Sequence, residues 1–427
     1  MPIPHLSNVL SGHLLELESR ILDAQPQIEH WFRSQWHAHD TPFYGSVDLR
    51  NSGFKLAPVD MNLFPGGFNN LNPEFTPLAV QAAMSAVDKI CPEAKSLLLI
   101  PENHTRNTFY LQNVASLVQI FDLAGLNVRL GSLNPEVTEP TELVAANGAK
   151  LLLEPIVRRG NRVMLADGFN PCVVLLNNDL SAGIPELLQN LEQSLLPPLH
   201  AGWAVRRKSH HFKAYDQVTS EFAKLIDIDP WLINPMFNAC GGLDFQTHHG
   251  EQSLADSVSD LLKRIQARYR EHKIEHDPFV IVKADAGTYG MGIMTVKSPD
   301  DVLGLNRKAR NKMAVVKDGM HVSEVIVQEG VYTFETVEDA VAEPVVYMMD
   351  RFVIGGFYRV HTGRGIDENL NAPGMQFVPL SFESACLPDK KGNPDCPCNR
   401  FYSYGVISRL ALLAASLELE ATDPDRA

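Results

Sequence analysis

Lys283 closes an apolar run, and the chain continues through a loop that places Gly287, Gly290 and Gly292 close together, with Tyr289 between them. Glycine has no Cβ, so the backbone N–H groups of such a loop can approach phosphate oxygens closely, and Lys283 adds a positive charge beside them. The spacing G-x-x-G-x-G, with an apolar run after it rather than a helical pattern, is not a dinucleotide-binding fingerprint. No G-K-[ST] is present, and the HRD and DFG elements of protein kinases are absent. What remains is either a phosphate-covering flap between two strands or a glycine-rich hairpin turn.

Three later segments favour the flap. Gln328 and Glu329 stand where a strand leaves its sheet, with Val331 just beyond; such a hinge can present backbone groups to a base and a carboxylate to a ribose. The stretch 343–361 forms a hairpin whose second strand carries Arg359, aimed at a triphosphate. It is followed by Asp367, Glu368, Asn369 and Asn371, whose oxygens suit Mg²⁺. A second group lies near the N-terminus. Arg50 and Lys55 suit a carboxylate, Asp60 an ammonium and Asn62 either. The alternative for these is a loop whose polar residues satisfy their own backbone. Arg106 precedes a helical pattern after a strand, where a carboxylate is favoured, and His104 in the same loop is a candidate base.

Those residues need elements to hold them. The chain has 427 residues, too many for one core. Apolar runs at 97–100, 127–130, 150–153 and 172–176 read as strands, with a helix at 107–124 stopped by Gly125. This alternation predicts a parallel sheet. Further helices are expected over the first 36 residues and at 211–225, 253–273 and 403–419, with strands at 279–283, 293–296, 325–328, 345–349 and 352–360. The stretch 39–77 reads as loop-rich, and Pro197–Pro198 as a boundary between parts 1–200 and 201–427.

Composition excludes several roles. A net charge of −14 argues against nucleic acid and anionic membranes. No apolar run approaches the ~20 residues of a membrane span, and no secretion signal opens the chain, so a cytoplasmic protein is expected. Six cysteines are too few for a disulfide scaffold. Cys386, Cys396 and Cys398 read as part of a plain polar loop, or less readily as an incomplete zinc site.

The order of lysine strand, glycine-rich flap, Gln-Glu hinge, hairpin with terminal arginine and N-L-N-A-P-G loop resembles the ATP-grasp superfamily. KSHHFKAY, 208–215, resembles the entry to that fold, where an early lysine reaches the phosphates; the resemblance assigns this to Lys213. The strings DLRNSGFKLAPVDMNLFPGGFNNL, PENHTRN, FNACGGLDF and KADAGTYGMGI resemble the proteobacterial-type glutamate–cysteine ligase. That resemblance implies an α/β protein with an ATP-grasp fold and an N-terminal parallel-sheet domain. It implies ATP and Mg²⁺ as cofactors, glutamate and cysteine as substrates, and formation of γ-glutamylcysteine through a γ-glutamyl phosphate. A late Glu-x-Asn metal pair usual in ATP-grasp enzymes is missing, and Asp367–Asn371 is its best substitute. The other expectations are a different carboxylate–amine ligase of the same fold, or a nucleotide-binding regulator without catalysis.

Overall fold

The computed structural model describes residues 6–8, 12–103, 106–287, 292–314, 321–380, 387–392 and 397–426. His104, Tyr289, Gly290, Cys386 and Cys396 lie outside the described residues. The architecture is mixed α/β, with three sheets. The predicted alternation gives the first: strands Ser96–Pro101, Asn127–Ser132, Lys150–Arg159, Val173–Asn177 and Ser194–Leu196 pair in parallel, and Thr141–Val144 and Arg162–Leu165 add antiparallel edges. Its inner strands are almost continuously apolar because both faces are covered. Helix Thr108–Leu123 packs on one face through Leu117 and Phe121, and helix Thr76–Ile90 lies against that helix with Ala83 and Val87 buried.

The second sheet corrects the loop-rich reading of 39–77. Strands Tyr44–Asn51 and Leu56–Asn62 form a hairpin there, and Tyr44–Asn51 pairs antiparallel with Ala340–Met349. That strand continues the sheet to Phe352–His361 and Gln376–Pro379. This large sheet therefore draws strands from both sides of residue 200. The hairpin escaped notice because its Gly, Pro and Asn residues read as turns, while the partner that completes it is almost three hundred residues away. Side chains alternate across it. Val47, Leu49, Val346, Met348 and Tyr358 face the long helix Pro397–Thr422 through Tyr404, Leu410 and Leu413, which leaves the other face for the site.

The third sheet runs Phe237–Gly241, Glu324–Glu329, Val280–Ala284, Ile293–Val296, all antiparallel. Val280, Val282, Val325 and Val327 pack against helix Glu251–Glu271 through Leu254, Val258, Leu261 and Ile265. The two strands predicted to flank the glycine-rich loop, Val280–Ala284 and Ile293–Val296, are present and pair antiparallel. Among the described residues no helix is long and apolar enough to cross a membrane. Cys91, Cys172 and Cys240 are free thiols, but Cys398 is disulfide-bonded, which overturns the plain-loop reading there.

Candidate active site

A cavity of about 830 Å³ lies where the three sheets meet. Strand alternation decides what lines it. From the large sheet come Ser46, Asp48 and Arg50, then Asp60 and Asn62, then Glu343, Val345 and Tyr347, then Phe357 and Arg359. The small sheet adds Ile281, Lys283, Ile293 and Gln328, in which Ile281 lies opposite Gln328 and Lys283 opposite Ile293. The parallel sheet contributes its carboxyl edge, where ligands of open α/β sheets bind.

The cations are held by carboxylates within the wall. Arg359 Nη1 donates to Asp48 Oδ2 at 2.8 Å and Glu343 Oε1 at 2.5 Å. Arg50 Nε donates to the other oxygen of Glu343 at 3.0 Å, and its Nη2 to the Glu368 carbonyl at 2.6 Å. Arg50 thus pins the 367–371 loop to the cavity. Burial raises the Asp48 carboxyl despite Arg359, with Glu343 adding to the rise. Burial opposes the charge of Arg359 as well, but Asp48 and Glu343 outweigh it and hold the guanidinium firmly charged. Lys283 Nζ donates to the Val59 carbonyl at 2.5 Å. Burial lowers Lys283 to about 8, against the pull of Asp60. Asp60 pairs with Lys208 at 2.9 Å; burial alone would raise its carboxyl, but Lys208 and Lys283 hold it well below the usual range.

Several expectations are corrected. Lys213 is exposed on helix Lys208–Ile226 and does not line the cavity, whereas Lys208, the first residue of that helix, is buried and reaches Asp60. Lys55 is not a carboxylate ligand. It is sealed in an ion pair with Glu329 at 2.7 Å, with both side chains 1% exposed, under the Trp231 ring. Glu329 is thereby spent: Trp231 Nε1 donates to one oxygen and the Met236 N–H to the other. The Glu329 and Gly330 N–H groups bond to the carbonyls of Met236 and Phe279, so the hinge has neither a free carboxylate nor those two donors for a nucleotide. Arg106 is exposed and outside the cavity. The acidic pair of the expected Mg²⁺ loop faces away. Asp367 pairs with Lys297 at 2.6 Å and Glu368 with Arg364 at 2.8 Å, and both line a separate shallow pocket; only Asn369 and Asn371 reach the cavity.

Others are brought together as expected. Arg50, Asp60, Asn62, Lys283, Gln328, Val331 and Arg359 line one cavity. Gln328 is 1% exposed and its Nε2 has no partner; Arg359 Nε is also unpartnered. A buried donor without an acceptor is costly, and a ligand acceptor removes that cost. Gly287 takes φ of +103°, a backbone state suited to glycine, where the strand enters the flap.

The glutamate–cysteine ligase family model matches residues 18–419. The chain belongs to the glutamate–cysteine ligase family. A crystal structure from Methylobacillus flagellatus KT, named "Putative gamma-glutamylcysteine synthetase", is 67% identical over 99% of this chain and 100% of that chain, with a TM-score of 0.91. A glutathione synthetase-like effector from Globodera pallida is 9% identical over 84% of this chain and 86% of its own, with a TM-score of 0.41. D-alanyl-alanine synthetase A from Vibrio cholerae is 12% identical over 74% and 81%, with a TM-score of 0.34. At those scores neither distant structure bears on the assignment. No curated protein matches the chain. The glutamate–cysteine ligase is an ATP-dependent carboxylate–amine ligase, and its product is γ-glutamylcysteine.

The ligase also lines its cavity with residues that sequence reasoning passed over: Asp48, Glu343, Glu102, Asn177, Asp179 and Trp203. Asp48 was readable by alternation, since it precedes Arg50 by two in one strand. Glu102 directly follows one apolar strand and Asp179 lies two residues past another, at the carboxyl ends that the parallel pattern already marked. Glu343 was readable from the predicted hairpin, in which it lies opposite Arg359.

Proposed function

We propose that the ligase is an ATP-grasp enzyme that activates glutamate as γ-glutamyl phosphate within the three-sheet cavity. The observation that carries this is the convergence of Lys283, Arg50 and Arg359 on one cavity beside an apolar lobe of Ile281, Ile293 and Val331. The apolar lobe takes the adenine, with the Gln328 amide as its polar partner. The lysine and arginines take the phosphates. A γ-carboxylate oxygen of glutamate attacks the γ-phosphorus and ADP leaves. The amine of cysteine, having lost its proton, attacks the acyl carbon, and phosphate leaves with the former carboxylate oxygen. Positioning and charge neutralisation supply most of the rate.

The described residues hold no cluster of three acidic, His or Cys ligands for a metal. Mg²⁺ needs no such cage, since one or two carboxylates and the substrate phosphates suffice. Asp48, whose Oδ1 is held only at 3.5 Å by Arg359, and the amide oxygens of Asn369 and Asn371 are the hard oxygen donors that fit it here. When bound, the ion neutralises charge on the phosphates.

On this reading the ATP-binding part is residues 201–427 completed by the hairpin at 44–62. The test is ADP release from ATP with each amino acid singly and in pairs, with Mg²⁺ or with a chelator. Sustained release is expected only with glutamate, cysteine and Mg²⁺ together. ATP binding without turnover in any mixture would instead mark a regulator, and turnover with a different pair would mark another ligase.

A further inference from the structure

We propose that Asp285 is a positioning residue for the phosphoryl transfer: it locks the start of helix Lys208–Ile226 to the strand that carries Lys283, and so fixes two lysines around Asp60 at the cavity wall. The proposal rests on the ligase reading above and names what sets the geometry of its phosphate-facing charge.

The first N–H groups of an α-helix have no partner within the helix, and a side chain just before it usually supplies one. Here the local sequence gives none, since Arg207 at the N-cap makes no capping bond. The cap comes instead from 76 positions along the chain. The Ser209 N–H donates to Asp285 Oδ1 at 2.7 Å and the Ser209 hydroxyl to Oδ2 at 2.6 Å. The Lys208 N–H donates to the Asp285 carbonyl at 2.8 Å. A carboxylate also suits the positive end of the helix dipole. Asp285, Lys208 and Ser209 are all buried, so water competes little for these bonds.

Asp285 has a second attachment, on the other side. It directly follows strand Val280–Ala284, in which Ala284 lies opposite Val325. Its N–H donates to the Glu324 carbonyl at 3.0 Å, which carries that antiparallel ladder one step past the strand. The Glu324 side chain in turn accepts from Arg207 Nε at 3.0 Å, a partly exposed pair that adds little. Asp285 stands midway between Lys283 and Gly287 in sequence. One residue therefore joins the start of the helix, the end of the strand and the entry to the glycine-rich loop.

The lock holds charge in place. Lys208 Nζ reaches Asp60 Oδ1 at 2.9 Å, and Lys283 Nζ reaches the Val59 carbonyl at 2.5 Å. The two lysines thus meet adjacent residues of strand Leu56–Asn62. Burial would raise the Asp60 carboxyl, but the two lysines together hold it low. Each lysine sits on its own element, and the two elements are tied at Asp285. Without that tie the helix and the strand are free to shift against one another, and the ammonium groups shift with them. Asp285 does not line the cavity, and both of its carboxylate oxygens bond to Ser209, so it acts through the lysines. A displacement of about 1 Å at a reacting centre is enough to cost about 10²-fold in rate.

Full-length Asp285→Ala, Asp285→Asn and Lys283→Ala, with the double variant Asp285→Ala, Lys283→Ala, are assayed for kcat and for the KM of glutamate, cysteine and ATP, and thermal melting checks that each is folded. Asp285→Ala is expected to lower kcat by about 10–100-fold while the KM values of both amino acids stay within about 3-fold. Asp285→Asn is expected to recover most of that loss, because its amide oxygen accepts from the Ser209 N–H and its amide N–H donates to the Ser209 hydroxyl. In the Lys283→Ala background, Asp285→Ala is expected to cost less than about 3-fold, since the charge it positions is already gone. Undiminished kcat in folded Asp285→Ala would overturn the proposal. Equal fold losses in both backgrounds would also overturn it, since they mark a structural role independent of Lys283. Should Asp285→Ala not fold, Ser209→Ala decides: it removes the hydroxyl bond alone, with an expected kcat loss of about 3–10-fold that likewise vanishes beside Lys283→Ala. Turnover of a different amino-acid pair by the unmodified protein would refute the ligase reading alone, and the same cycle is then run with that pair. ATP binding without turnover would also refute that reading alone, and the cycle is then read on ATP affinity.

Discussion

Lys283→Ala is expected to lower turnover by roughly 10²–10³-fold, the effect of removing one preorganised charge from a transferring phosphoryl group. Lys283 is the lysine that both lines the cavity and stands at the start of the flap. Among the described residues its ammonium donates to the Val59 backbone carbonyl, a neutral partner, so its charge is available to phosphate. A pH profile checks the same claim. Burial lowers Lys283 to about 8, so in the free enzyme it loses its proton, and its charge, as pH rises through that value. The kcat/KM for ATP is therefore expected to fall above about pH 8. Lys283→Arg keeps the charge at high pH and should move that limb upward. Near-normal turnover in folded Lys283→Ala, or an alkaline limb that Lys283→Arg leaves in place, would remove Lys283 from the mechanism.

Lys55→Met is expected to cost about 3–5 kcal/mol of stability, because it strands a buried carboxylate. Lys55 and Glu329 are each 1% exposed and 2.7 Å apart. Met236 and Trp231 still donate to Glu329 in the variant, but neither carries a compensating charge. Adding Glu329→Gln removes the stranded charge and should recover a large part of the loss. Denaturant midpoints of the two single variants and the double variant measure this. A folded Lys55→Met protein of unchanged midpoint, with a raised KM for glutamate, would restore the carboxylate-binding role that the sequence suggested for Lys55.

The case of Lys55 shows where sequence reasoning ran out. A lysine in a polar stretch looks like a ligand-binding group, and nothing local reveals that its partner is Glu329 in another sheet. The two lysines of KSHHFKAY pose the same problem. Five residues apart on a helix, they sit about 140° around the axis from one another, so only one of them can face the site. Which one depends on Asp60, itself positioned by the hairpin of strands Tyr44–Asn51 and Leu56–Asn62. By contrast, the parallel sheet, the flap strands and the 352–361 strand carrying Arg359 were readable, because their periodicity is local and their partners are close in sequence. The 367–371 loop was half legible. Its amides reach the cavity, while its carboxylates pair with Lys297 and Arg364, cations that lie on elements the motif does not include.

The central claim is that a γ-glutamyl phosphate forms in this cavity, and oxygen-18 tests it most directly. Glutamate labelled in its side-chain carboxylate is supplied with Mg·ATP and cysteine to the purified protein, and the released phosphate is analysed by mass. In the proposed path a carboxylate oxygen bridges to phosphorus and departs with it. The account therefore predicts one labelled oxygen in the phosphate for each γ-glutamylcysteine made. Dipeptide formed with unlabelled phosphate would contradict it.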